Sequence, residues 1–295
     1  MRLRRLLPVA IACLATASSA RAEDGWATRF PAVKAALADG APLVVHVIVP
    51  LCHEDQVRCG GGRAGKPRDL ERNLYWGAIF GARRFLDRPR SAFERVSVEA
   101  SPEADVLERV TYRRRVDGAA FGLAGRKVEQ LVVLDAFAGD AIDAAVTRFA
   151  TEATRPSTLR IARAEDAKAS DAKPVATSAV VYAGHNRMMD GFVPKLEGAA
   201  AGAKGAPASI VLACETEPYF GPLLRGAGGV PLLTTRALMA PEGYLVDSVA
   251  MALGDGATEA ALRERVIASG MTWWKLDRAQ VGWIFAPFQA PGAPG

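Results

Sequence analysis

Two hydrophobic runs in this sequence end in side chains that can exchange a proton and attack a carbonyl. Ala179-Val180-Val181-Tyr182-Ala183 leads into Gly184-His185-Asn186, and Ile210-Val211-Leu212-Ala213 leads into Cys214-Glu215-Thr216-Glu217. The thiolate is the nucleophilic form of cysteine, and a nearby imidazole can hold it ionised and later protonate a leaving amine. If the runs are neighbouring strands of a parallel sheet, about 4.8 Å apart, His185 and Cys214 emerge on one edge within reach of one substrate carbonyl. Backbone donors at Cys214 and in the turn Gly184 to Asn186 would then supply an oxyanion hole, with Glu215 lining the site. Asp190, five residues past His185, is the candidate to orient the imidazole. Against this stands a plain alternative: free cysteine packs as a small apolar residue, and the carboxylates of Glu215 and Glu217 would raise the pKa of a nearby thiol.

A second cluster follows the first hydrophobic run: Cys52-His53-Glu54-Asp55, then Cys59. It does not match a zinc spacing, because structural zinc needs two paired ligand groups and His46, the remaining histidine, lies inside a strand. A disulfide between Cys52 and Cys59 is the favoured reading, with no metal site assigned and a redox or metal role as the weaker idea. It leaves Cys214 as the odd thiol. A loop at this place would border the His185 and Cys214 site, making Arg58 and Arg63 candidate substrate contacts.

The elements that must position these groups are short and β-branched. Strands are expected at Leu43–Val49, Phe93–Val98, Gln130–Leu134, Ser178–Ala183, Ser209–Ala213 and Val230–Leu233. Helices are expected at Leu74–Leu86, Asp140–Thr151, Tyr219–Leu224, Tyr244–Leu253 and Glu259–Ile267. The first would open at Asn73 as a cap and pack Tyr75, Trp76 and Phe80 into the core. Alternating strand and helix imply an α/β fold, a mainly parallel sheet with helices on both faces and ligands beyond the strands' carboxyl ends. Residues 152–176, rich in Ala, Lys, Asp and Pro, read as an exposed insertion, with a short strand at Leu159–Ile161. The three tryptophans of the tail, Trp273, Trp274 and Trp283, read as packed cover for the sheet.

The chain opens with a basic Met-Arg-Leu-Arg-Arg, an apolar run from Leu6 to Ala17 and a close on Ala20-Arg21-Ala22, the pattern of a signal peptide over 1–22. The alternative is lipidation at Cys13, for which Ala10-Ile11-Ala12 is a poor approach. The apolar run is far short of the roughly 20 residues that a membrane span requires, so no integral membrane segment is expected. Cleavage would discard Arg2, Arg4, Arg5 and Arg21 and no acids, turning 37 basic residues into 33 against 32 acidic ones. The basic balance of the whole chain, formally +5, thus gives no electrostatic case for nucleic acid. Residues 23–295 read as a single exported domain, periplasmic or secreted.

The Gly-His turn after one hydrophobic block and the Ala-Cys end of the next resemble the caspase-like cysteine peptidases, the group that includes metacaspases, legumains and gingipains. The resemblance covers roughly Leu43 to Leu233 in strand order and rests on Tyr182-Ala183-Gly184-His185 and Val211-Leu212-Ala213-Cys214. It implies a three-layer caspase-like fold, hydrolysis of peptide bonds in a peptide or protein substrate, His185 as the catalytic histidine, Cys214 as the nucleophile, and no cofactor. The chain departs from the family at Asn186, where a glycine usually follows the histidine, at Leu212, where metacaspase-like members carry an acid, and at Glu215-Thr216, where Ser-Gly is common. A catalytically inactive binding or scaffold domain of the same fold is the competing expectation.

Overall fold

The computed structural model describes residues 25–162, 172–196 and 205–287. The leader read at 1–22, with Cys13, lies outside them. The strands are β1 (Leu43–Pro50), β2 (Glu94–Glu103), β3 (Val106–Asp117), β4 (Lys127–Phe137), β5 (Thr158–Arg160), β6 (Pro174–Ala176), β7 (Ala179–Ala183), β8 (Ala208–Leu212) and β9 (Val230–Leu233). The helices are α1 (Pro31–Ala38), α2 (Ala82–Leu86), α3 (Ile142–Thr154), α4 (Thr216–Gly226), α5 (Gly243–Gly254), α6 (Glu259–Trp274) and α7 (Arg278–Ile284). No helix among the described residues is long and apolar enough to cross a membrane.

Seven strands form one sheet in the order β2-β3-β4-β1-β7-β8-β9. The five from β4 to β9 run parallel, and β2 and β3 add an antiparallel hairpin at one side. Side chains alternate across a strand, so the apolar runs must be covered twice. Val45, Val47, Val49, Val181 and Ile210 face the layer that contains α1, α2 and α5 to α7, while Ile48, Val180, Tyr182 and Val211 face α3 and α4. Chain connections leave β1 toward β4 on one side and return to β7 on the other. That reversal is the place where α/β sheets open a crevice at their carboxyl edge.

Helices α1 and α7 stand where the sequence predicts none, and two further stretches differ in ways that bear on the frame of the site. Of the helix expected over 74–86, only Ala82–Leu86 is helical. Upstream, the amides of Trp76, Gly77 and Ala78 all donate to Asn73 O, and a Cβ on Gly77 would sit 2.3 Å from the carbonyls of Leu70 and Glu71. Asn73 is not a helix cap: its side chain donates to Cys52 O and Lys66 O and accepts from Cys52 N, tying this coil to the end of β1. The other difference is β3, which pairs with both β2 and β4. Its polar Glu108, Arg109 and Arg113 to Arg115 interrupt any apolar run, and Arg109 is buried because Asp135 and Glu103 pair with it. In the insertion read over 152–176, β5 and β6 pair, and Leu159 and Ile161 pack on Val44, Leu131 and Val133.

Candidate functional site

The register between β7 and β8 sets His185 and Cys214 level. Ala183 pairs with Leu212, so each residue stands two positions beyond a matched strand end, on one edge of the sheet. Gly184 makes that exit close-packed, since a Cβ there would lie 2.5 Å from Cγ of Pro50 at the end of β1. Its N–H donates to Leu212 O at 3.2 Å. The buried hydroxyl of Tyr182 donates to His185 O at 2.7 Å, fixing the backbone that carries the imidazole.

The imidazole is largely covered, with 12% of its side chain exposed, and its Nε2 lies 2.7 Å from Asp190 Oδ2. Asp190 accepts, so Nε2 carries the proton and Nδ1 is left as the basic nitrogen. Arg187 reaches the same carboxylate at 3.4 Å and Asp143 of α3 at 2.9 Å, which anchors the turn to the helical layer. The short 3-10 turn that holds Asp190, Arg187–Asp190, is capped by Asn186, whose Oδ1 accepts from Met188 N.

Cys214 is half-buried and is the free cysteine of the described residues. Its thiol donates to Met239 O at 3.3 Å, and Met239 N–H points back at the sulfur at 3.4 Å. Burial pushes the thiol pKa up; the Met239 amide opposes this, and the charge of Glu215 adds to it. The next residue, Glu215, adopts a left-handed backbone at φ 47°, unusual for a side chain other than Gly or Asn. That kink launches α4 directly after the cysteine, with the amides of Glu215, Thr216 and Glu217 bonded to Ala237 O, Thr235 Oγ1 and Thr235 O. Thr216 and Thr235, both fully buried, lock the kink: Thr235 N–H donates to Thr216 Oγ1, Thr216 N–H to Thr235 Oγ1, and the Thr235 hydroxyl to Ala213 O.

His185 and Cys214 thus share an edge, but no hydrogen bond joins their side chains; each is held by a partner of its own. The N–H groups of Gly184 and Glu215 are taken by Leu212 O and Ala237 O, so in this conformation neither serves as an oxyanion donor. The Asn186 side chain is equally committed, donating to Cys214 O at 2.6 Å. Cys52 and Cys59 form a disulfide, with Cα atoms 6.0 Å apart. Arg63 is held by Asp69 and Glu71 rather than offered to a ligand. Among the described residues no group of three or more His, Cys, Asp or Glu side chains is arranged to hold a metal ion.

Sequence reasoning passed over Met239, Thr235 and Tyr75. Met239 acts through its backbone, which no residue type advertises. Tyr75 reads as core from its neighbours, yet its phenol lies within the fields of Cys214 and Glu242; burial first, then those two charges, drive its pKa far up, so it stays a donor. Comparison with known proteins returned no matching family model, no matching curated sequence and no matching solved structure.

Proposed function

We propose that this protein is a cysteine peptidase of the caspase-like kind, with Cys214 as nucleophile and His185 as general base and acid. One observation carries the reading: a cysteine and a histidine leave adjacent parallel strands at matched register, and the imidazole is oriented by Asp190 so that Nδ1 is its basic nitrogen. The raised thiol pKa means that the thiolate is generated on demand rather than stored. His185 takes the thiol proton, sulfur adds to the substrate carbonyl, and the imidazolium returns the proton to the departing amine, leaving a thioester. Water, deprotonated by the same imidazole, then releases the acid and restores the thiol. The disulfide suits an oxidising, extracytoplasmic compartment.

A second reading draws on the absent His185–Cys214 hydrogen bond and the raised thiol pKa: a caspase-like domain that binds partners at this edge without catalysis. Cleavage of a mixed peptide library under reducing conditions separates the two. Activity that disappears in Cys214→Ala and falls about ten- to a hundredfold in Asp190→Asn establishes the peptidase. No cleavage, with Cys214 inert to iodoacetamide near neutral pH, establishes the binding domain.

A further inference from the structure

Beyond the last ladder bond of the sheet, the turns that carry His185 and Cys214 have to be held together by something other than strand pairing. Among the described residues, the hydrogen bonds between segments 185–190 and 213–217 come from a single side chain. Asn186 Nδ2 donates to Cys214 O at 2.6 Å and, more weakly, to Glu215 O at 3.5 Å. The same carboxamide accepts from Met188 N at 3.1 Å, and the residue is fully buried. A buried amide with both ends satisfied is a rigid strut, because leaving either end unpaired carries a desolvation cost.

We propose that Asn186 is a positioning residue: its buried carboxamide clamps the Cys214 carbonyl to the His185 turn and so fixes thiol and imidazole relative to one another. The role is distinct from that of an oxyanion donor, because the amide hydrogens are spent on protein carbonyls. Tyr182 completes the arrangement by holding His185 O, so the backbone carbonyls of both reacting residues are fixed by buried side chains of the β7 strand and its exit.

The test needs a variant that keeps the turn and loses the clamp. Asn186→Ser retains an oxygen that can accept from Met188 N but is too short to reach Cys214 O. In Asn186→Ser the freed Cys214 turn becomes more solvated, so the pH midpoint of iodoacetamide alkylation falls, while kcat for peptide cleavage drops about tenfold with KM little changed. Unfolding would also expose the thiol and lower the cleavage rate, so both readouts are taken on a variant whose urea midpoint shows it to be fully folded under the assay conditions. Asn186→Asp loses the donor at neutral pH and regains it when the carboxyl is protonated, so its cleavage rate relative to wild type recovers as pH falls.

The kinetic arm rests on the peptidase reading, whereas the alkylation arm does not. If wild type cleaves nothing, the peptidase reading fails and the alkylation midpoint still decides the clamp. A folded Asn186→Ser with an unchanged alkylation profile overturns the clamp even if wild type is an active peptidase. Should neither variant fold, wild type itself gives the answer: the Asn186 side-chain amide protons should exchange with solvent as slowly as buried backbone amides, and fast exchange overturns the proposal.

Discussion

His46 on β1 and Asp135 on β4 form a buried ion pair, Nε2 to Oδ2 at 2.9 Å, in the middle of the parallel sheet. The other imidazole nitrogen lies 2.8 Å from Glu152 of α3. Arg109 binds Asp135 from β3, Arg148 binds Glu152, and Glu103 joins the two arginines. Three cations thus face three anions across the sheet and α3. Burial disfavours the charged imidazole, but the charges of Glu152 and Asp135 outweigh it and lift the His46 pKa to about 9. Burial likewise opposes ionised Asp135, and Arg109 and His46 outweigh it, holding its pKa at about 2.

These shifts predict a stability plateau with two limbs. The His46 contribution is complete below its unfolded value of 6.5 and is lost as pH rises through about 9. The Asp135 contribution is complete above 3.8 and is lost as pH falls through about 2. Urea unfolding against pH should show both, and His46→Gln, which removes the cation between Asp135 and Glu152 but leaves each its arginine, should cost about 1–3 kcal/mol at pH 6. An alkaline limb that survives unchanged in His46→Gln would assign it to other groups.

His46 also marks where the sequence stops being legible. The apolar runs of β1, β7, β8 and β9 announce buried parallel strands, and they alone suffice to bring Gly184-His185 and Cys214 to one edge. A histidine inside such a run gives no sign of its partners, because Asp135 and Glu152 lie 89 and 106 residues away. β3 was hidden for the same reason: its charges are buried only because of partners on other elements. At the site, the groups that hold Cys214 are main-chain atoms of Met239, and main-chain geometry leaves no trace in residue type.

The disulfide closes a short loop, with a sequence separation of 7. Loop-closure entropy predicts a loss of about 2–3 kcal/mol in Cys52→Ser/Cys59→Ser, read as a lower urea midpoint. The loop should keep its course, since Glu54 still accepts from Cys59 N and Asn73 still ties the end of β1. Alkylation of native protein should label Cys214 among these three, and all three only after reduction and unfolding.

Glu215 combines a left-handed backbone with a carboxylate that opposes thiolate formation. Glu215→Asn relieves both, because Asn tolerates that backbone and carries no charge. The variant should gain up to about 1 kcal/mol in stability, and its thiol should alkylate faster near neutral pH. Burial remains the largest cause of the raised pKa, so the midpoint should still lie above that of an ordinary cysteine. An alkylation midpoint that does not move would mean that Glu215 points its charge into solvent.

On the peptidase reading, Gly184 is the position at which a single methyl group should damage cleavage more than folding. The added Cβ would meet Cγ and Cδ of Pro50 at 2.5 and 2.9 Å and approach Cζ of Tyr182 at 3.5 Å. The proline ring cannot rotate away, so the exit of β7 must move off β1, at a cost of about 1–3 kcal/mol. That shift carries His185 O away from the Tyr182 hydroxyl and the imidazole away from its place opposite Cys214. Gly184→Ala should therefore melt a few degrees lower while losing a tenfold or greater share of cleavage, about what displacing a catalytic group costs. Equal losses in stability and activity would instead make Gly184 a packing residue with no special hold on the site.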